Sequence, residues 1–131
     1  MNTQTQKKVC IIDPDDAIRD SIQTLFKIQN IKVYGFRDAQ SFLSTFQGSF
    51  SGCIVIEKQL PDLNGFDLVK TLKVMGNESP IILITSKTDP ALANEAIKTG
   101  VSKVLIKPLL DQDLLGEVCS ALDMKSSRLS K

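Results

Sequence analysis

Apolar residues along this chain follow two alternating spacings. Short runs rich in β-branched residues recur at Val9–Ile12, Lys32–Phe36, Cys53–Ile56, Ile81–Ile84 and Val104–Ile106. Four of these five runs are almost continuously apolar. That is the pattern of strands buried on both faces of a parallel sheet. Between the runs, apolar residues fall at helical spacing. The stripes are Ile18, Ile22, Leu25 and Phe26; Ala39, Phe42, Leu43 and Phe46; Phe66, Val69, Leu72 and Met75; Ala93, Ala96 and Ile97; and Leu114, Leu115, Val118 and Leu122. Asp15 and Asp38 stand where N-caps of the first two helices belong. Asp89 and Pro90 predict the N-cap and first position of the fourth helix, Gly100 its C-terminal cap, and Asp111 a cap for the fifth.

The order is five βα units. Right-handed crossovers then place helices on both faces of one parallel sheet, an α/β doubly wound architecture. One domain is expected over residues 7–124. Residues 1–6 read as a disordered N-terminal tail, and 125–131 as a polar C-terminal tail or linker stub.

Composition narrows the functions open to the chain. With 131 residues and 42% apolar content, one domain can form a core without disulfide or metal. The 16 basic and 15 acidic residues leave a net charge of +1, so no broad nucleic-acid footprint is expected. No apolar run reaches the ~18 residues of a membrane span, and the polar start is unlike a signal peptide. The absence of His removes His-based triads and most zinc enzymes. Three cysteines without metal-type spacing suit a reducing cytoplasm and read as small buried hydrophobes.

Chemistry gathers where the strands end. Strand one runs into Asp13-Pro14-Asp15-Asp16, strand three into Glu57, strand four into Thr85-Ser86 and strand five into Lys107-Pro108. In open α/β sheets, ligands bind beyond the carboxyl ends of the strands. A strand-end Asp alone is usually a helix cap and a strand-end Lys is usually solvated. Their joint occurrence on four strands marks a candidate site. A flavin site on this architecture is disfavoured, because the acidic first loop lacks a Ser/Thr/Gly phosphate cradle.

With Ile11-Ile12-Asp13, Ala17-Ile18-Arg19, Leu60-Pro61 followed by Asn64-Gly65, Ile84-Thr85-Ser86 and Lys107-Pro108 in this order, the sequence resembles a response-regulator receiver domain of two-component signalling. The resemblance implies the flavodoxin-like strand order 2-1-3-4-5 and a cis proline after the strand-five Lys. It also implies roles. Asp13 matches the first of two acids that hold Mg²⁺, Glu57 the phosphoacceptor, and Gln59 the backbone carbonyl donor to the metal. Thr85 and Lys107 match the groups that bind the phosphoryl oxygens. In such a site positioning and charge neutralisation supply nearly all the catalysis.

The chain departs from that pattern at three positions. Glu57 replaces the nucleophilic Asp, and its extra methylene moves the carboxylate by ~1.5 Å. A ~1 Å misplacement can cost ~10²-fold where alignment governs rate. Three readings of Glu57 stand: a standing ion pair with Lys107, a solvent-facing side chain, or a working nucleophile. Pro14 replaces the second acid and offers no side-chain oxygen, so Mg²⁺ binding is expected to be weak or lost. Asp15 and Asp16 could replace it only if the loop shifts. Val104 stands where many receivers carry the aromatic switch residue, and it has no ring to rotate and a stiff χ1.

The expectation is an atypical receiver acting as a protein-interaction module rather than an enzyme. The alternative is a Mg²⁺-dependent phosphoacceptor using Glu57 or a neighbour. The partner implied is a protein (a histidine kinase, an output domain or a second copy) on the face of helix four, strand five and helix five.

Overall fold

Strand β1 (Lys7–Ile12) is paired on one side with β2 (Ile31–Phe36) and on the other with β3 (Cys53–Glu57). β4 (Ile81–Thr85) and β5 (Lys103–Ile106) extend the sheet, giving a parallel order 2-1-3-4-5. The connecting helices are α1 (Asp16–Lys27), α2 (Ala39–Phe46), α3 (Gly65–Val74), α4 (Leu92–Thr99) and α5 (Asp111–Ala121). This is a computed structural model of the protein, and it describes residues 6–47 and 50–122. Of the tails expected at 1–6 and 125–131, only Gln6 is described, and it donates its side-chain amide to Asn30; residues 123 and 124 of the expected domain also lie outside the described residues.

The continuous apolar runs place alternate side chains on opposite faces of the sheet. Cys10, Ile12, Ile54, Ile56, Ile81 and Leu83 pack under α2, α3 and α4. Val9, Ile11, Cys53, Val55, Ile82 and Ile84 pack under α1 and α5. β1, β3 and β4 are therefore buried on both faces, as the pattern predicts. β5 is not: Ile106 is 42% exposed, because β5 is an edge strand.

Helix boundaries follow local chemistry in most places. Asp15 Oδ1 accepts from Ala17 N–H at 2.9 Å and Asp38 Oδ1 from Ser41 N–H at 2.8 Å, as N-caps. Gly100 closes α4 at φ 82°. Four expectations need correction. α4 begins at Leu92, not Pro90, because the Asp89 carboxylate is spent on Ala91 N–H within a preceding turn. Leu110 is the N-cap of α5, and Asp111 lies in its first turn with no capping bond, where its charge still suits the helix dipole. The α4 stripe is Leu92, Ala96 and Thr99 rather than Ala93, Ala96 and Ile97. Thr99 can turn inward because its hydroxyl donates to the carbonyls of Glu95 and Ala96, leaving Ile97 78% exposed. Met75, likewise expected in the core, lies at the exposed C-cap of α3, and Leu68 is buried in that helix instead.

Candidate functional site

Each site side chain is set by a strand end. Asp13 directly follows β1, and its N–H still bonds Phe36 carbonyl at 2.9 Å, so the sheet holds it in line. Glu57 is the last residue of β3 and pairs with Ile84. Lys107 follows β5, and its N–H bonds Thr85 carbonyl at 2.8 Å. The Lys107–Pro108 bond is cis, as expected. Parallel strands of one sheet thus deliver residues 94 apart in sequence to one crevice at the carboxyl edge.

The three charged groups meet there. Lys107 Nζ lies 2.5 Å from Glu57 Oε1 and 2.9 Å from Asp13 Oδ2. The side chains of Asp13 and Glu57 are only 1% and 6% exposed, and that of Lys107 19%. Their remaining oxygens are also satisfied. Asp13 Oδ1 accepts from Asp15 N–H at 2.8 Å, and Glu57 Oε2 from Gln59 N–H at 2.9 Å. Burial is the largest single influence on Lys107 and pushes its ammonium down. Hydrogen bonds and charge from Glu57 and Asp13 together outweigh burial and hold its pKa above the ordinary value.

Other predicted members of the site sit differently. Thr85 is buried at the end of β4, but its hydroxyl engages its own loop. It accepts from Lys87 N–H at 3.2 Å and donates to Lys87 carbonyl at 3.3 Å. Gln59 enters the crevice through its N–H. Pro14 is exposed. Val104 is half-buried and packs against the core beneath α2, α3 and α4.

Gly65 makes the crevice possible from behind. A Cβ there would stand 2.6 Å from Glu57 carbonyl oxygen and 2.7 Å from Lys58 Cα. The bare backbone instead donates Gly65 N–H to Lys58 carbonyl at 2.6 Å, closing the loop after β3.

One organising residue was missed as such in the sequence. Arg19 Nη1 donates to Asp13 carbonyl at 2.6 Å, while Nη2 pairs with Asp16. Its aliphatic stem packs over Gly35, where an added Cβ would be 3.4 Å from Arg19 Cδ. The i,i+3 spacing of Asp16 and Arg19 signals the ion pair. The bond to Asp13 carbonyl carries no sequence signal.

The residues present do not make a good Mg²⁺ seat. All four oxygens of Asp13 and Glu57 accept from N–H or ammonium donors, Pro14 supplies none, and Asp15 and Asp16 serve as cap and Arg19 partner. Among the described residues there is no group of three or more His, Cys, Asp or Glu disposed to hold a metal. Mg²⁺ demands near-octahedral oxygen ligation, which one carboxylate pair already tied to lysine supplies poorly.

A doubly wound five-stranded sheet with an acid–lysine crevice at its carboxyl edge is a flavodoxin-like α/β module, and sequence comparison narrows the class. The response regulator receiver domain family matches residues 9–119. The response regulator protein TodT of Pseudomonas putida is 30% identical over 122 residues, covering 93% of this chain and 54% of TodT. The transcriptional regulatory protein FixJ of Bradyrhizobium diazoefficiens is 36% identical over 118 residues, covering 90% of this chain and 58% of FixJ. The chemotaxis protein CheY4 of Vibrio cholerae superposes with a TM-score of 0.82 at 23% identity, covering 90% of this chain and all of CheY4, and shares the fold. This chain belongs to the response regulator receiver domain family of two-component signalling. It spans about half the length of the curated relatives it matches. Receiver domains are signalling modules that interact with histidine kinases and output domains, and they typically bind Mg²⁺ at the phosphorylation site. Among the described residues no helix is long and apolar enough to cross a membrane.

Proposed function

We propose that this chain is an atypical receiver that signals by protein docking, without phosphoryl transfer to position 57. The observation that carries this reading is the 2.5 Å contact between Lys107 Nζ and Glu57 Oε1. A phosphoryl-transfer site needs a carboxylate oxygen free to attack and an ammonium free to receive the phosphoryl oxygens. Here each occupies the other. Glu57 Oε2 is also spent on Gln59 N–H, and the Thr85 hydroxyl is turned into its own loop. Val104 offers no ring to couple that hydroxyl to the far side of β5.

The exposed surface favours docking on the face of α4, β5 and α5. Ile97 and Ile106 are exposed there on adjacent elements, and Leu110 extends the patch into the loop before α5. A protein partner (a kinase, an output domain or a second copy) would bury these side chains, whereas nucleic acid and membrane have no matching charge or span. The buried residues Cys10, Cys53 and Cys119, none of them in a disulfide, support a reducing, cytoplasmic setting.

The test is intact-mass analysis after incubation with acetyl phosphate and excess Mg²⁺. The unmodified protein is expected to gain no phosphoryl mass. The paired changes Glu57→Asp and Pro14→Asp are expected to restore an acyl phosphate more than either change alone. A base-labile phosphoryl group on Glu57 of the unmodified protein overturns the reading.

A further inference from the structure

The carboxylates on which the family's metal chemistry draws already share a cation in this protein. We propose that Lys107 is the resident counter-ion of the crevice, that its ammonium stands in for the divalent ion, and that it is what keeps such an ion out. The proposal deepens the docking-module reading and rests on it for the meaning of the crevice.

Three observations converge. First, the ammonium bridges both acids, at 2.5 Å from Glu57 and 2.9 Å from Asp13, in a pocket that leaves the two carboxylates almost wholly buried. Two such charges cannot remain there unbalanced, because burying an unpaired carboxylate is costly. Second, the longer Glu57 side chain reaches the ammonium while its second oxygen stays on Gln59 N–H, so the lysine bond does not require loss of the loop bond. Third, the loop that carries the other acids is held away from the crevice. Asp15 caps α1, and Asp16 is drawn outward by Arg19, whose other nitrogen pins Asp13 carbonyl. No further carboxylate is therefore free to raise the site's charge and tip the competition toward a divalent ion.

A purely structural ion pair and a resident counter-ion make different predictions once the lysine is neutralised. If Lys107 only braces the fold, its loss weakens the protein and changes nothing about metals. If it occupies the cation's place, its loss leaves two buried carboxylates that a divalent ion can neutralise.

Unmodified protein, Lys107→Met and Lys107→Gln are titrated with Mn²⁺ and with Mg²⁺. Binding is read by calorimetry and by loss of the free Mn²⁺ electron paramagnetic signal. Both variants are expected to bind on the order of 100-fold tighter than the unmodified protein, the scale of removing one unit charge a few ångströms away. Adding Glu57→Gln to Lys107→Met is expected to abolish the gain. Variants that are folded by circular dichroism yet bind no tighter than the unmodified protein overturn the proposal, as does equally tight binding by the unmodified protein. If the variants unfold, Mn²⁺-induced refolding supports the proposal, and failure to refold overturns it. The acetyl phosphate experiment fails or succeeds separately, so loss of this proposal leaves the docking reading intact.

Discussion

The Lys107 ammonium donates to Asp13 Oδ2 at 2.9 Å, tying the residue that follows the edge strand β5 to the residue that follows β1, a more central strand. The bond spans β3 and β4, the strands lying between, and it recruits Glu57 on the way. The crevice is a clasp across the carboxyl edge of the sheet.

Removing the cation from that clasp should destabilise the fold. Breaking a fully buried ion pair by deleting one partner costs about 3–5 kcal/mol. Lys107 is partly exposed, so screening reduces the figure. Lys107→Met is expected to lose about 2–3 kcal/mol in urea unfolding without added metal. An unchanged midpoint and slope would show that the clasp contributes nothing.

The same group sets an alkaline limit. The folded-state pKa of Lys107 is raised above 10.5, its ordinary value. Its contribution is therefore fully present below 10.5 and is lost as pH rises through the higher folded value. Thermal unfolding followed from neutral to strongly alkaline pH should show an alkaline loss that is smaller in Lys107→Met. Parallel curves for the two proteins would contradict the assignment.

Gly65 should tolerate no side chain. An added Cβ would meet backbone atoms of Glu57 and Lys58 at 2.6 and 2.7 Å, and backbone cannot swing aside as a flexible side chain can. Gly65→Ala is expected to cost about 1–3 kcal/mol, the range of overpacking, and to disturb the loop that orients Glu57. Gly116→Ala is the control, since a Cβ there meets nothing within 4 Å.

The strand cysteines should be chemically silent in the native state. Burial raises the Cys10 thiol well above its ordinary value, with the neighbouring Cys53 adding to the effect, and burial pushes Cys53 up to about 12. The thiolate is the reactive form, so both should resist a disulfide reagent at mildly alkaline pH and react after denaturation. Rapid labelling of either thiol in the folded protein would show that the sheet opens locally.

Much of the architecture was legible in the chain because burial on both sheet faces leaves a strong trace. The runs Val9–Ile12, Cys53–Ile56 and Ile81–Ile84 could hardly be anything but interior strands. Capping was legible where it is local, at Asp15 and Asp38. It was not where partners lie far apart. Asp62 receives the N–H groups of Ala39 and Gln40 at the start of α2, 22 or 23 residues away, with no signature in the sequence. The α4 stripe was misplaced by periodicity because Thr99 satisfies its own hydroxyl within the helix and packs as if apolar. Period alone ranks Ile97 above a threonine.

The residue types and order along the chain determined, by themselves, that an acid, a second acid, a hydroxyl and a lysine would arrive at one edge of a parallel sheet. Alternating βα units allow little else, since every strand end points the same way. Tertiary structure alone decided which of these groups touch. Glu57 and Asp13 share Lys107 while Thr85 turns aside, and Arg19 holds the intervening loop. Those choices depend on ångström-scale competition among donors from separate strands, and sequence spacing contains no term for that competition.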